Sequence, residues 1–349
     1  MFDVVTIGSA TQDIFIESDL GKILDLRDPF SSYSMLCFEY GAKIEIDQLA
    51  YDIGGGAVNT AVNFANLGFK TAPIVKLGND LSAKAIFNRL EEKNIDKSLV
   101  LQTEEYKTGF SVILTSFEGD RTVLAHRGAN SKLTIDEIPW ENIKNSRWLY
   151  IAPLSGESNL VLDKIAEYAE ENGVSMAFNP GTTQIKRGIE DLKKVIYTAE
   201  VLIMNKSEAA SISGIPETCI ESNDSEEFAK KSCSPDINEM LYKLKSYGPK
   251  VVVITEGSKG VHCFDGNKIY FAPPFPAKVL STLGAGDAFA STFVGCLIKY
   301  NWDIEKAIRI ASVNAAQIIQ NFGAQSGLKN FNELEEILSK NIDYKISIY

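Results

Sequence analysis

The chain has 349 residues, 45% of them hydrophobic, enough for one large core or for a main domain with a smaller one. Its 35 basic and 46 acidic residues give a net charge of −11 without a basic stripe, which argues against nucleic acid and anionic membranes as partners. No apolar run approaches the length of a membrane span, the first eight residues read as a strand rather than a signal peptide, and five scattered cysteines suggest neither a disulfide frame nor a zinc site, so a cytoplasmic protein is expected.

Short apolar runs at 4–7, 71–75, 148–151, 175–178, 201–204 and 251–255 read as buried strands. Helical patterns lie at 57–67, 83–93, 159–172, 189–199 and 237–247, and continue at 286–299, 304–321 and 332–339. This alternation predicts an α/β fold with a mostly parallel central sheet. Two stretches break the rhythm: 14–52, and 108–126 with its turn at 118–120. Both alternate like antiparallel strands and are expected to form a small β lid over a cleft. The division expected is a main domain of 1–13, 53–104 and 131–349, with a lid of 14–52 and 105–130. The acid-rich segment 216–239 reads as an exposed loop or short helix.

The most informative stretch runs from Ser281 to Phe289, where the turn Gly284-Ala285-Gly286-Asp287 opens an apolar helical run. Helix N-termini present unpaired N–H groups and a positive dipole end, so such a turn suits an anion. Asp287 adds a carboxylate beside it. A hydroxyl deprotonated there with phosphate charge stabilised alongside is phosphoryl transfer; the plainer reading is an acid that complements the helix dipole. A second glycine cluster, Gly54-Gly55-Gly56, precedes Asn59, whose amide suits a sugar hydroxyl, though the cluster also reads as an ordinary loop. Asp13 follows the first strand, where ligands of open α/β sheets sit, though taken alone it also reads as a solvated turn acid. Asn205 and Glu208 suit either phosphate and water-bound Mg²⁺ or a helix capping box. Thr255, Gly257 and Gly260 form either a phosphate or ribose cradle or a plain turn. His126 and His262 are the two histidines and read as ordinary surface or lid residues. No Walker motif, dinucleotide fingerprint or protein-kinase signature occurs.

Taken in order, these pieces resemble the PfkB, or ribokinase-like, carbohydrate kinase family. The two signatures are 54–61, continuing to Gly68 and Gly78, and 284–287; Asn205–Glu208 and Thr255–Gly257 lie between them, and Gly323-Ala324-Gln325 follows. The resemblance implies a three-layer α/β/α fold with a small antiparallel β lid, and ATP with Mg²⁺. It implies Asp287 as base on a primary hydroxyl of a small sugar, with Gly284, Ala285 and Gly286 as the anion hole. Asp13, Gly54, Gly55 and Asn59 would bind substrate, and Asn130, which ends the stretch 127–130 after the last lid strand, reads either as a further substrate contact or as part of a hinge turn. Asn205, Glu208, Thr255, Gly257, Gly260, and Ser312 or Asn314 near the adenine, would serve the nucleotide, with Glu208 holding Mg²⁺ through water. Ser281 and Gly327 depart from the family pattern where a monovalent cation is held, which speaks against potassium activation. Thr11, Gly56 and Ala83 are further departures, and a plain ribokinase pocket is not expected. Lys43 and Arg127 are the lid candidates for a substrate-borne phosphate. A nucleoside kinase is the alternative, with Phe15, Phe38, Tyr40 and Phe110 available to stack on a base. A ligand-binding relative without catalysis is the other. A homodimer through the lid is expected, because exposed strand edges invite pairing.

Overall fold

The computed structural model describes residues 1–17, 22–27, 32–46, 48–115, 121–216 and 237–349. Most of the acid-rich segment and the turn at 118–120 lie outside them. The first strands are β1 (Phe2–Ile7), β2 (Thr11–Glu17), β3 (Lys22–Arg27), β4 (Ser32–Cys37), β5 (Gln48–Gly54), β6 (Thr71–Gly78), β7 (Val100–Thr103), β8 (Gly109–Thr115) and β9 (Arg121–His126). They continue as β10 (Ser146–Ile151), β11 (Ser175–Phe178), β12 (Val201–Asn205), β13 (Val251–Thr255), β14 (Val261–Phe264), β15 (Ile269–Ala272) and β16 (Ser347–Ile348). The helices are α1 (Gly56–Asn66), α2 (Leu81–Glu92), α3 (Trp140–Lys144), α4 (Leu162–Asn172), α5 (Thr182–Ile185), α6 (Ile189–Thr198), α7 (Lys206–Ser213), α8 (Ile237–Lys245), α9 (Ala285–Lys299), α10 (Ile304–Ile318) and α11 (Phe331–Lys340).

Among the described residues, ten strands form the large sheet, in the order β16-β15-β14-β13-β12-β11-β10-β1-β6-β7. It is parallel from β13 through β7, and the β14–β16 edge is antiparallel. Both faces are covered, as a parallel sheet requires. Leu149 and Ile151 of β10 and Leu202 and Met204 of β12 face α4, α6 and α8. Their neighbours Trp148, Tyr150, Val201 and Ile203 face α1, α9, α10 and α11. The result is three layers, α/β/α.

The second sheet has, among the described residues, four strands in the order β5-β2-β8-β9. Its outer pairs are antiparallel and its central pair, β2 with β8, is parallel. The physical reason is common entry: β2 follows β1 and β8 follows β7, so both leave the carboxyl edge of the large sheet in one direction. The hairpin β3–β4 pairs only with itself among the described residues.

The six buried strands and eight helical stretches expected from periodicity all appear. The edge β14–β16 went unforeseen, because three short strands of two to four residues leave little period to read. Residues 156–161 form a 3₁₀ turn ahead of α4 rather than its first turns.

A buried amide network joins the helices on the α1 side. Asn63 Nδ2 donates to Ser291 Oγ (2.8 Å), Thr292 Oγ1 (2.8 Å) and the Ala288 carbonyl (3.3 Å). Asn314 Nδ2 donates to Asn63 Oδ1 (3.1 Å) and Thr292 Oγ1 (2.8 Å), while its Oδ1 accepts from the Lys329 N–H (3.0 Å). Such a network is worth most when complete, since each orphaned member keeps its desolvation cost. Asn63→Ala should therefore destabilise the chain by about 3 kcal/mol in urea unfolding at pH 7.5; a loss below about 1 kcal/mol would show the network to be dispensable.

Candidate active site

Two helix N-termini meet at the carboxyl edge of the large sheet. At the start of α1, Gly55 has φ +94°, and a Cβ there would lie 2.5 Å from the Ser9 carbonyl oxygen and 2.6 Å from Ala10 Cα. The turn after β1 therefore rests directly on the glycine cluster, sealed by Ala57 N–H to the Ser9 carbonyl (3.1 Å) and Gly56 N–H to Ser9 Oγ (3.1 Å). At the start of α9, Gly284 is the N-cap at φ +76°, and a Cβ there would meet the Ala324 oxygen at 2.5 Å. Both turns need glycine, for conformation and for room.

Asp287 is the third residue of α9. Asn59 Nδ2 donates to its Oδ2 at 2.8 Å. Its Oδ1 faces α1, 3.9 Å from where a Cβ on Gly56 would stand. Burial pushes the carboxyl up to about 6, with the Asn59 hydrogen bond acting in the other direction. Open space surrounds Gly286. The Ala285 N–H leans back to the Thr282 carbonyl in a long 3.4 Å contact, so an anion would compete with that carbonyl for it.

Asp13 lies in β2 directly opposite Asp52 of β5. It is 6% exposed, and Gly54 packs so closely that a Cβ would sit 2.1 Å from its Oδ2. Burial raises its pKa; the Thr11 and Ser111 hydroxyls oppose this, and the charge of Asp52 adds to it. Its Oδ1 is buried without a hydrogen-bond partner. Asn130 lies in the turn Gly128–Ser131, as its hinge-turn reading has it. Its Oδ1 accepts from the Ala10 N–H (2.9 Å) and its Nδ2 donates to the Ala10 carbonyl (2.8 Å), which makes it a strut between the accessory sheet and β1. Asn59 likewise gives its Nδ2 to Asp287 and its Oδ1 to Gln325 Nε2 (3.0 Å).

On the other side of the cleft, Asn205 and Glu208 form the reciprocal capping box of α7, each contact 2.9 Å. That uses Glu208 Oε2. Burial raises the Glu208 pKa, with Asn205 opposing. Thr255 ends β13, and the Glu256 N–H closes a turn on the Gly260 carbonyl (2.8 Å), with Gly257 exposed at its tip. Sequence reasoning missed the charges here: Lys206 Nζ lies 2.9 Å from Glu256 Oε1, and His262 Nδ1 lies 3.4 Å from Glu256 Oε2. His262 stacks on Phe271 at 4.6 Å, and burial lowers its pKa. It belongs to this cleft edge and not to the lid. Ser312 and Asn314, expected near an adenine, are buried instead. Ser312 Oγ donates to the Ile308 carbonyl (2.8 Å), and Asn314 is a fully buried member of the interhelical network. Both sit where α10 meets its neighbours, a position that helical period alone does not separate from a cleft-facing one.

Three further residues had no role in the sequence reading. Arg89, Asp52 and Gln325 form a chain that ends on Asn59. Gln325 carried a signal, since it closes the Gly323-Ala324-Gln325 motif; Arg89 carried none. A surface depression lined by Glu170, Ser175, Tyr197, Glu200 and Lys250 lies at the amino ends of β11–β13, the wrong edge for a ligand of an open parallel sheet.

Residues 27–330 match the pfkB family of carbohydrate kinases. A ribokinase of Bacillus subtilis (strain 168) is 27% identical over 343 residues, spanning 97% of this chain and 100% of the relative. A 5-dehydro-2-deoxygluconokinase of Clostridium perfringens is 25% identical over 355 residues, spanning 97% of this chain and 93% of the relative. Arabidopsis thaliana ribokinase, solved with ribose and ATP, superposes with a TM-score of 0.77 at 22% identity, over 97% of this chain and 98% of that one. No helix among the described residues is long and apolar enough to cross a membrane. A fold of three α/β/α layers, a glycine-flanked carboxylate at a helix N-terminus and a family match over most of the chain lead to one assignment: the chain belongs to the pfkB family of carbohydrate kinases and is an enzyme of the sugar-kinase class.

Proposed function

We propose that this enzyme transfers the γ-phosphoryl group of ATP to a primary hydroxyl of a small, uncharged sugar. The observation that carries the reading is Asp287: a carboxylate at the mouth of two converging helix N-termini, oriented by Asn59 and tuned by burial to titrate near 6. A base of that pKa is ionised at neutral pH yet holds a proton better than an exposed aspartate. Asp287 takes the proton of the acceptor hydroxyl as that oxygen bonds to the γ-phosphorus and the bond to the ADP oxygen breaks. The open backbone at Gly286, with Gly284 and Ala285 beside it, faces the charge that develops on the phosphoryl oxygens.

The donor set suits ATP with Mg²⁺. Among the described residues no three acidic, histidine or cysteine side chains cluster as a metal cage. Mg²⁺ commonly keeps waters and phosphate oxygens as its ligands and takes one carboxylate, directly or through water. Glu208 fits that part, because its capping bond to Asn205 uses Oε2 alone. When bound, the ion would neutralise phosphate charge. Thr255, Gly257 and Gly260 supply a turn for the nucleotide. Asp13 Oδ1, buried and unpartnered, awaits a hydroxyl donor, and Gly54 and Gly55 keep backbone close by. The buried Asp13 carboxyl disfavours a phosphate or carboxylate on the acceptor, while the charge of Asp52 opposite it is met by Arg89. The segments 14–52 and 105–130 act as the lid. The exposed Leu49, Tyr51, Val123 and Leu124 on its edge strands β5 and β9 support pairing of two chains there. Light scattering at micromolar concentration should give twice the chain mass; a monomer would rule that pairing out.

ADP release should be measured across neutral sugars, phosphosugars and nucleosides. One neutral sugar should dominate, and Asp287→Asn should lower its turnover about 10²- to 10⁴-fold with ATP binding kept. Undiminished turnover in that variant would remove Asp287 as the base. A nucleoside as the dominant acceptor would replace the sugar reading.

The same carboxyl makes a stability prediction. Its folded pKa of about 6 lies above the usual carboxylate value. The folded state therefore binds the proton more tightly, and ionisation costs stability. The cost is absent below about pH 4 and complete above about pH 7; about two pH units correspond to at most about 3 kcal/mol. Asp287→Asn should accordingly raise Tm at pH 7.5 and change it little at pH 4. Turnover of the wild type should fall about tenfold per pH unit below 6. An equal Tm change at both pH values would refute the tuning.

A further inference from the structure

Four polar contacts run unbroken from the accessory sheet to Asp287, and their polarity is fixed at every step. Arg89 Nη2 donates to Asp52 Oδ1 at 3.0 Å, and Arg89 Nη1 donates to Gln325 Oε1 at 2.6 Å. Gln325 Nε2 donates to the Ile53 carbonyl at 2.9 Å and to Asn59 Oδ1 at 3.0 Å. Asn59 Nδ2 donates to Asp287 Oδ2 at 2.8 Å. We propose that Gln325 is a positioning residue for the base: it holds the Asn59 amide in the one orientation that donates to Asp287, and the Asp52–Arg89 pair holds Gln325.

An amide side chain can turn by half a rotation and exchange its oxygen for its nitrogen at little steric cost. Arginine only donates, and a backbone carbonyl only accepts. Gln325 lies between one of each, so its oxygen must face Arg89 and its nitrogen must face Ile53 and Asn59. Asn59 must then turn its oxygen toward Gln325, which leaves its nitrogen for Asp287. A reversed Asn59 would present an oxygen to Asp287, and only a protonated carboxyl could donate to it. Gln325 and Asn59 are each 6% exposed, so water offers little alternative. The loop bearing Gln325 is itself pinned, since a Cβ on Gly323 would lie 2.1 Å from Asp52 Oδ2 and one on Gly284 would lie 2.8 Å from Ala324 Cβ. The relay therefore favours the ionised carboxylate, against the burial that favours the acid.

The inference rests on Asp287 as the proposed base. Around Asp287, α1 presents Asn59 and β10 presents the buried Tyr150 phenol, pushed well above its usual range by burial and then by Asp287. Around the relay stand Asp52 of β5, Asp13 opposite it in β2, and Glu92, 3.6 Å from Arg89 Nε on α2.

The test reads the carboxyl and not turnover. In the full chain carrying ¹³C-labelled aspartate carboxyls, the Asp287 signal is the one that Asp287→Asn removes. Its titration midpoint should lie near 6 in the wild type. In Gln325→Met, which adds no charge, Asn59 loses the partner that fixes its amide and can reverse, so the midpoint should rise by about half a pH unit or more, a threefold or greater change in proton affinity. Gln325→Ala stands as the test if Gln325→Met does not fold. Midpoints within about 0.3 of the wild type in the folded variants would overturn the relay. That result would leave a sugar kinase with Asp287 as base intact. A raised midpoint in a chain whose Asp287→Asn variant keeps full turnover would instead keep the relay and sink the proposed base.

Discussion

Asn59 and Asn63 lie four residues apart on α1, one helical turn, and so share the face that meets α9. Asn63 stitches the two helices together through Ser291 and Thr292, and Asn59 reaches Asp287 one turn closer to the helix starts. That double stitch sets the register of α1 against α9. With the register fixed, both N-termini open at the same place on the carboxyl edge of the sheet. Both starts are glycine turns, and each is pressed against a second loop: 8–10 on α1 and 323–325 on α9.

The geometry sets up a tension that is useful to the chemistry. The helix ends offer positive potential and free N–H groups, which suit phosphate. The core behind them, with Phe64, Tyr150 and Phe293 wholly buried, excludes water and penalises a charge on Asp287. One hydrogen bond from Asn59 offsets part of that penalty. A chain selected for stability alone would not place an acid there. This one does, and surrounds it with amides whose donors and acceptors are all assigned.

Much of the site was legible because its signals are local. A glycine turn before an apolar run, with an acid at the junction, describes a helix N-terminus in about six residues. Asn205 and Glu208 show the limit of such reading: the spacing that suits an ion also suits a capping box, and the box is formed. Asn314 shows another. Its helix was plain from periodicity, but which face met α1 and α9 depended on how three helices pack. From its sequence neighbours His262 reads as surface or lid; Glu256 and Phe271 reach it only through the β13–β14 and β14–β15 pairings. Arg89 gave no sign at all, being one basic residue on an amphipathic helix.

The sequence by itself determined the alternation of strand and helix, the two glycine turns, the carboxylate at the second, and with them the kinase family. Those features are written in neighbouring residues, where period and backbone freedom act over a few positions. Only the tertiary structure decided that Asn59 meets Asp287 across 228 residues and Gln325 meets Asn59 across 266. It likewise decided that the central pair of the accessory sheet runs parallel. Contacts of that kind arise because layers stack around a buried sheet, and stacking sets which distant side chains must satisfy one another once water is gone.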